Sequence, residues 1–346
     1  MISRRNFGKA AIGAAPIAHA ILSGPAWAQT PPPAGAPAGF GRGGPPPKPN
    51  SNFGGVQIGV ITYSFRQGVA ATDLVSILTR LGINSVEIMS NHAEALAGAP
   101  APAGGFGGGG RGRGQMTPEQ QAAAQAAQAA ARAEMEKFRS TVSMDTYKGI
   151  RKQFDDAGID LRLLCYNLNG NVKDEEIDYS FRMAQALGVK GITSSSTVTI
   201  AKRVAPIADQ YKMLWGGHGH DAINDPEQFA TLESYARIMS FSKNIGVNLD
   251  IGHFTAAGYD PISFIKEHHD RITNLHIKDR FRNPAGGGRG ANVRWGEGQT
   301  AIKDVLLLLK KEKYGFPANI EYEYQGTDSV IEVAKCLEYC RDILIA

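Results

Sequence analysis

The feature that most constrains the fold of this chain is an eightfold alternation of apolar strands with amphipathic helical segments. Short apolar runs recur along the sequence, and segments with helical periodicity separate them. The predicted strands are 56–63, 85–90, 160–167, 190–195, 212–218, 246–251, 272–278 and 318–324. Eight strand–helix units are typical of a closed barrel, whereas an open doubly wound sheet is disfavoured because no G-x-G-x-x-G motif follows the first strand. We therefore predict an α/β protein with a (β/α)8 TIM-barrel fold.

The predicted barrel is a single domain, residues 55–346, with a low-complexity insertion at 97–136 after the second strand. The first part of the insertion, AGAPAPAGGFGGGGRGRGQ, contains too few large apolar residues to order itself. The alanine- and glutamine-rich part that follows favours a helix, with Pro118 near its first turn. Residues 29–54 are rich in proline and glycine, which predicts a disordered linker in front of the barrel.

Residues 1–28 have the pattern of a twin-arginine (Tat) export signal. Arg4 and Arg5 precede a mild apolar run, and a small-residue motif, AWA, predicts cleavage between Ala28 and Gln29. The apolar run is short and contains glycine, proline and histidine, so a membrane anchor is the weaker interpretation. We expect a periplasmic or secreted protein with no stable membrane anchor once the signal is removed.

The charge of the chain argues against a nucleic-acid partner. The formal net charge is +4, but Arg4, Arg5 and Lys9 supply three of these charges in a leader without acidic residues. The remainder is close to neutral, whereas a nucleic-acid binder needs a strong basic surface. The three cysteines predict no disulfide framework. The composition is compatible with an oligomer.

Residues able to carry chemistry recur at the ends of the predicted strands. Active sites of such barrels lie at the carboxyl ends of the strands. The candidates there are Glu87, His218, His220, Asp250, His253, His276, Lys278, Glu321 and Glu323. Strand alternation places His276 with Lys278 on one face, and Glu321 with Glu323. Asp250 alone could be a turn residue, but its recurrence with three other strand ends predicts a shared polar site.

Five motifs in this region resemble one family. They are WGGHGH, NLDIGH, LHIKD and NIEYE at the fifth to eighth strands, and WGEGQTAIKDVL before the last barrel helix but one. Together they resemble the xylose isomerase-like TIM barrels, specifically the sugar phosphate isomerase/epimerase branch. The resemblance runs from about Gln57 to the C-terminus, without the insertion.

The resemblance implies one divalent cation, often Mn²⁺, with Mg²⁺, Co²⁺, Zn²⁺ or Fe²⁺ as alternatives. The implied ligands are His218, Asp250, His276 and Glu321. Members commonly have a glutamate where this chain has His218, and His220 is the alternative ligand at that strand. Two imidazoles and two carboxylates suit a transition-metal ion. Losing one glutamate puts the family's mechanism with two catalytic glutamates in question.

The resemblance also implies enediolate chemistry on a sugar. Glu321 is then both ligand and catalytic base, and Glu87, His220 and His253 are candidates for its partner. Candidate substrate contacts are Lys278 and, from the basic glycine-rich segment 280–298, Arg280, Arg289, Arg294 and Glu297.

Export favours a free sugar or keto-sugar over a sugar phosphate, so the expected function is a sugar isomerase or epimerase. The nearest alternative is a lyase or hydratase acting on 3-keto-glycosides. An AP-endonuclease-like hydrolase is less favoured because the charge is near neutral and the second and third strands offer few ligands. A non-catalytic periplasmic sugar-binding protein is the remaining alternative.

Overall fold

The computed structural model describes residues 48–66, 68–101 and 117–346. The predicted signal peptide, most of the predicted linker and most of the glycine-rich part of the insertion lie outside these ranges. Residues 48–54, predicted to end the linker, belong to the barrel domain. Asn52–Phe53 forms a short antiparallel strand against the first barrel strand, and Ser51 is fully buried.

Eight parallel strands form the predicted closed barrel. They are β1 Val56–Ile61, β2 Ser85–Met89, β3 Asp160–Cys165, β4 Gly191–Ser194, β5 Leu214–His218, β6 Ile245–Asp250, β7 Ile272–Ile277 and β8 Ala318–Ile320. Each strand pairs with its neighbour in chain order, and β8 pairs with both β7 and β1. A closed sheet of this kind has no free edge, and the carboxyl ends of all eight strands meet at one rim.

Eleven α-helices occur in the described residues. They are α1 Leu74–Leu81, α2 Ser90–Leu96, α3 Pro118–Thr141, α4 Met144–Asp156, α5 Asp174–Ala186, α6 Val198–Tyr211, α7 Leu232–Met239, α8 Ile251–Ala256, α9 Pro261–His268, α10 Ile302–Glu312 and α11 Ser329–Ile345. Except for α3, which has no buried residue, their apolar faces pack on the outside of the strands in one continuous core. None of these helices has the length and apolar character needed to span a membrane.

Helix boundaries differ from the sequence prediction in two places. Residues 225–246, between the fifth and sixth predicted strands, have a helical pattern in the sequence, but only α7 forms there. Its start is set by Thr231, whose side chain accepts a hydrogen bond from the backbone N–H of Ser234. The insertion helix α3 begins as predicted, with Thr117 as N-cap and Pro118 in the first turn, but continues to Thr141. The helix therefore extends past residue 136, the predicted end of the insertion, and its last turn makes tertiary contacts.

The last strand is shorter than predicted. β8 ends at Ile320, although the backbone N–H of Glu321 still donates to the carbonyl of Ile277. The backbone N–H of Tyr322 then donates to the Ser64 hydroxyl instead of a neighbouring strand. The chain therefore leaves the sheet at Glu321, and residues 321–324 lie on the rim.

Candidate metal centre and cavity

Four side chains from successive strand ends converge at the rim of the barrel. His218 and Asp250 are the last residues of β5 and β6, His276 lies near the end of β7, and Glu321 directly follows β8. The register of β6 and β7 places Asp250 opposite His276. One donor atom from each of the four residues lies within 4.8 Å of the others, and all four residues are buried.

Each of the four residues has one buried atom without a hydrogen-bond partner. They are His218 Nδ1, Asp250 Oδ2, His276 Nδ1 and Glu321 Oε2. His276 Nδ1 and Glu321 Oε2 lie 3.1 Å apart, and His218 Nε2 is 3.9 Å from Asp250 Oδ2. Burying polar groups without hydrogen bonds is costly, and a divalent cation in this cluster would interact with all four residues. The two imidazoles and two carboxylates therefore fit a divalent metal ion.

The two oxygens of Asp250 have different partners. Oδ1 accepts a hydrogen bond of 2.8 Å from the backbone N–H of His253 and thereby caps α8. Oδ2 is the oxygen that faces the cluster. The interpretation of Asp250 as a cap and its interpretation as a ligand are therefore compatible.

Glu87 lies below the cluster inside the barrel. Its carboxylate accepts hydrogen bonds from Asn274 at 2.9 Å, Asn319 at 2.8 Å and the Thr193 hydroxyl, and lies 2.8 Å from His276 Nε2. It is fully buried and does not line the cavity. Glu87 was predicted to transfer protons with the substrate, but the structure places it behind His276. Its position suits holding the imidazole so that Nδ1 faces the cluster.

Lys278 supplies the positive charge of the cluster. Its Nζ lies 2.8 Å from Asp250 Oδ2, 2.7 Å from Glu321 Oε2 and 2.6 Å from Glu323 Oε2. The contacts with Asp250 and Glu321 are ion pairs without hydrogen-bond geometry. Asp250 Oδ2 and Glu321 Oε2 therefore accept no hydrogen bond. Burial opposes the charge, but the three carboxylates outweigh it and raise the pKa of Lys278. The ion-pair partners of Lys278 in the described residues are therefore Asp250, Glu321 and Glu323.

The titration behaviour of the cluster follows from burial and from these charges. Burial lowers the pKa values of His218, His220 and His253, which keeps these imidazoles neutral and able to bind a cation. Burial also opposes a charged His276, but Glu87 and Glu321 raise its pKa. Burial opposes ionisation of Glu321, yet Lys278 and His276 hold the pKa of that carboxyl well below its usual range.

Arg280 and Asp221 form a buried network beside the cluster. Arg280 contacts the ring of His253 and donates to the carbonyl of Gly290 at 2.6 Å, and its Nη2 lies 3.2 Å from Asp221 Oδ2. Asp221 also pairs with His253 Nδ1 at 3.2 Å and with Arg289. Arg280 was predicted to contact the substrate. It is buried in these protein contacts and lines neither of the two cavities described next.

A cavity of about 190 Å³ lies over the cluster. His218, His276, Lys278 and Glu321 form part of its wall, and the predicted His220 and His253 also line it. An adjoining cavity of about 1070 Å³ includes His220, Ala256, Pro284 and Arg289. His220 lies on both cavities. The smaller cavity is below the usual size of pockets for drug-sized ligands, which suits a small substrate.

Arg294 and Glu297, predicted to bind substrate, are exposed and line neither cavity. Their segment is held by Asp279, which accepts hydrogen bonds from the backbone N–H groups of Gly296, Gly298 and Thr300. Any side chain at Gly298 would collide with Asp279. The glycine motif therefore shapes the rim and keeps these two charges outside it.

Several cavity residues were not predicted from the sequence. Tyr63, Asn167 and Ser195 line the smaller cavity from the ends of the first, third and fourth strand segments. Asp221 directly follows the GHGH motif, and this adjacency was the available signal for it. Tyr63, Asn167 and Ser195 belong to no distinctive motif. The only signal for them was the rule that active sites of such barrels lie at the carboxyl ends of the strands.

The comparisons with known proteins agree with this architecture. A family model described as the xylose isomerase-like TIM barrel matches residues 120–340, more than half of the chain. The chain belongs to the xylose isomerase-like TIM barrel family. No curated protein matches the sequence significantly.

Three solved structures share the xylose isomerase-like barrel. A probable 3-DHS dehydratase of Bacillus anthracis is 14% identical, with a TM-score of 0.57 over 82% of this chain and 98% of its own. The IolI protein with a binding zinc atom is 16% identical, with a TM-score of 0.56 over 84% and 98%. A 3-keto-D-glucoside 4-epimerase of E. coli in its apo form is 12% identical, with a TM-score of 0.53 over 83% and 99%. At these identities the similarity establishes the shared fold.

Proposed function

We propose that this protein is a divalent-metal-dependent isomerase or epimerase of a free sugar or keto-sugar. One observation carries the proposal: the buried donor set of His218, Asp250, His276 and Glu321 has atoms without hydrogen-bond partners beneath a small cavity. Membership of a xylose isomerase-like family supports a carbohydrate substrate. Several of its structural neighbours are sugar isomerases, epimerases or a dehydratase.

The proposed reaction interconverts sugars through an enediolate of the substrate. A bound divalent ion supplies Lewis-acid polarisation of the substrate carbonyl, an effect of several kcal/mol on the transition state. Glu321 is a carboxylate at neutral pH, because Lys278 and His276 lower its pKa against the effect of burial. Its position at the cavity wall allows it to accept the α-proton.

His220 and His253 are candidates for returning a proton to the enediolate. Burial keeps both imidazoles neutral at rest, so the ring that acts first takes up a proton from solvent, and Glu321 releases the α-proton to solvent to complete the cycle. Both line the cavity, and each is oriented through Nδ1, His220 by Gln228 and His253 by Asp221. Protonation on the opposite face of the same carbon gives epimerisation, and protonation of the neighbouring carbon gives isomerisation. Lys278, between Glu321 and Glu323, is placed to contact substrate oxygens.

The adjoining cavity favours a second candidate function, a lyase or hydratase acting on 3-keto-glycosides. The same α-proton removal expels a leaving group when a glycosidic oxygen occupies the β-carbon. Such a leaving group needs space beside the sugar, and the larger cavity supplies it next to His220. The resemblance to a probable dehydratase and to a 3-keto-glucoside epimerase makes both reactions reasonable on this fold.

Metal content and proton exchange test this proposal together. The purified full chain, loaded with Mn²⁺, is screened with free sugars and 3-keto-glycosides in D₂O. Deuterium incorporated next to the carbonyl, without elimination, supports an isomerase or epimerase, whereas release of an aglycone supports the lyase. Binding that survives chelation, without proton exchange, would instead indicate a sugar-binding protein.

Variants of the donor set provide the structural half of the test. Asp250→Asn and Glu321→Gln each remove one ligand charge, and we expect metal content and turnover to fall at least tenfold. Glu297→Gln is a matched control, because this carboxylate is exposed outside both cavities. Normal metal loading in both ligand variants contradicts the assignment.

A further inference from the structure

The larger cavity beside the four-residue cluster has walls of small apolar residues. Three chain segments form it: the segment after β5, the end of α8 and the loop that follows β7. Each segment contributes two consecutive apolar residues, and these are Ala222, Ile223, Ala256, Ala257, Pro284 and Ala285. The loop is attached to α8, because the backbone N–H of Asn283 donates to the carbonyl of Ala256 at 2.9 Å.

Several polar side chains of this cavity already have protein partners. Arg289 donates to both carboxylate oxygens of Asp221, at 2.5 and 3.2 Å. The side chain of Asn283 accepts a hydrogen bond of 2.8 Å from a backbone N–H of its own loop, and Gln228 Oε1 lies 3.2 Å from His220 Nδ1. Burying the hydroxyls of a second sugar among such occupied groups is costly. The cavity therefore favours an apolar occupant.

Ile223 and Arg282 contribute the large side chains that an apolar occupant can contact. Ile223 is 47% exposed, although it lines the cavity. Arg282 donates its backbone N–H to Gln299, and within the described residues its guanidinium has no ion pair. Exposed apolar surface beside a catalytic cavity is typical of a binding surface, and guanidinium groups stack on the faces of aromatic rings. An aromatic ring suits both side chains.

His220 connects the two cavities, because it lines both of them. A substituent of a sugar held in the smaller cavity reaches the larger cavity past this imidazole. We propose that the larger cavity binds an aromatic ring attached to the sugar, so that the substrate is an aryl glycoside of a keto-sugar. This inference rests on the proposed function, since it places the sugar ring over the four-residue cluster.

Isothermal titration calorimetry of the Mn²⁺-loaded full chain tests the aromatic site. Phenyl and methyl β-D-glucopyranoside share the same sugar and have no carbonyl, so neither can enolise. We expect the phenyl glucoside to bind at least about tenfold more tightly, because its ring is buried. Cellobiose, whose substituent is a second glucose, should bind no more tightly than the methyl glucoside.

Two outcomes of this titration overturn the proposal. One is a phenyl glucoside that binds no more tightly than the methyl glucoside, including no measurable binding of either. The other is cellobiose binding more tightly than the phenyl glucoside, which would assign the cavity to a second sugar.

Ile223→Ser locates the ring in the cavity. We expect the preference for the phenyl over the methyl glucoside to fall to about threefold or less, with affinity for the methyl glucoside and Mn²⁺ content unchanged. Ile331→Ser is the matched control, because Ile331 is 48% exposed on α11 and lines neither cavity. It should keep the full preference. An unchanged preference in Ile223→Ser contradicts the placement of the ring.

Cyclohexyl β-D-glucopyranoside separates an aromatic occupant from an apolar one. Its ring has a similar size but no π-face, so it should bind more weakly than the phenyl glucoside in the unmodified protein. In Arg282→Gln the two glucosides should bind equally. Equal binding already in the unmodified protein contradicts an aromatic occupant.

The failure of this inference differs from the failure of the proposed function. Proton exchange in a keto-sugar without any preference for the phenyl glucoside overturns this inference alone. A preference for the phenyl glucoside without proton exchange in any keto-sugar overturns the proposed reaction and leaves a binding site for aryl glycosides.

Discussion

At the residue scale, the carboxyl end of β6 shows how one side chain serves both fold and site. Asp250 Oδ1 caps α8, and Oδ2 faces the cluster. The cap fixes the side-chain rotamer, so the second oxygen is positioned before any ligand arrives. Gly252 lies in the same turn, and glycine is needed there because a side chain would collide with Lys278. The motif DIGH thus encodes both a helix start and a donor.

Glu87 provides a first prediction at this scale. Glu87→Gln removes the charge that faces His276 Nε2 and replaces one acceptor oxygen by a donor. We expect the affinity for Mn²⁺ to fall between about tenfold and a hundredfold, which is typical when an outer partner of a ligating histidine is lost. Equilibrium dialysis of the chelated and reloaded protein measures it.

Ser85→Ala serves as the control for Glu87→Gln. Ser85 is a buried polar residue of the same strand, but its hydroxyl has no hydrogen-bond partner in the structure. We expect its Mn²⁺ affinity to stay within a factor of two of the unmodified protein. Equal affinities for both variants would show that Glu87 does not position His276.

At the element scale, the insertion helix α3 is attached through its last turn. No residue of α3 is buried, yet Arg139 lies 2.7 Å from Glu94 of α2 and 2.6 Å from Glu176 of α5. Its guanidinium also lies 5.4 Å from the centre of the Tyr166 ring. The Glu94 side chain is only 3% exposed and depends on this partner.

Removing that partner gives the second prediction. Arg139→Ala leaves the Glu94 carboxylate buried and unpaired, so we expect the free energy of unfolding to fall by about 3 kcal/mol. Urea denaturation measures this change. Arg132→Ala on the same helix removes an exposed arginine and should change it by less than about 0.5 kcal/mol. Similar losses in the two variants would contradict this role of Arg139.

The start of α11 provides a pH-dependent prediction. Glu332 is fully buried and accepts hydrogen bonds from Tyr324 at 2.7 Å and Lys335 at 2.9 Å. Burial opposes its charge, but these contacts lower the pKa of Glu332 to about 2. Because the pKa is lower in the folded state than the unfolded value of 4.5, the ionised carboxylate stabilises the fold at pH values above 4.5. This stabilisation is lost as the pH falls from 4.5 towards 2.

Glu332→Gln should therefore reduce the free energy of unfolding by about 2 kcal/mol at pH 7. The difference from the unmodified protein should shrink as pH falls from 4.5 towards 2, because the native carboxyl is then protonated as well. Urea denaturation across this range measures it. Glu338→Gln, in an ion pair with 62% of the carboxylate side chain exposed, is the control and should differ little at any pH. A pH-independent loss in Glu332→Gln would contradict the titration argument.

At the scale of the whole molecule, the leader remains a prediction because residues 1–47 lie outside the described residues. We expect Arg4→Lys/Arg5→Lys to retain the protein in the cytoplasm, since the Tat pathway reads the arginine pair. Cell fractionation with mass spectrometry checks this, and the exported form should begin at Gln29. Lys9→Arg keeps the charge and the pair, so it should export normally. Unchanged export of the double variant would point to a different route.

The barrel was predictable because its signal is local and repeated eight times. Apolar runs of strand length, separated by amphipathic segments, leave few alternatives for burying both faces of a parallel sheet. The rule that strand ends meet at one rim gave a larger set of candidates, and the family resemblance selected His218, Asp250, His276 and Glu321, which the structure brings together. Boundaries were less accurate, as at β8, because side-chain acceptors such as the Ser64 hydroxyl end the strand from a distance in sequence.

The sequence by itself determined the fold class, the family and which strand ends carry donors, since these depend on periodicity and on motifs within single strands. Only the tertiary structure decided what each polar residue faces. It placed Glu87 behind His276, enclosed Arg280 between Asp221 and His253, and left Arg294 and Glu297 outside the cavities. These outcomes depend on strand register and on partners far away in the chain, and no local pattern contains that information.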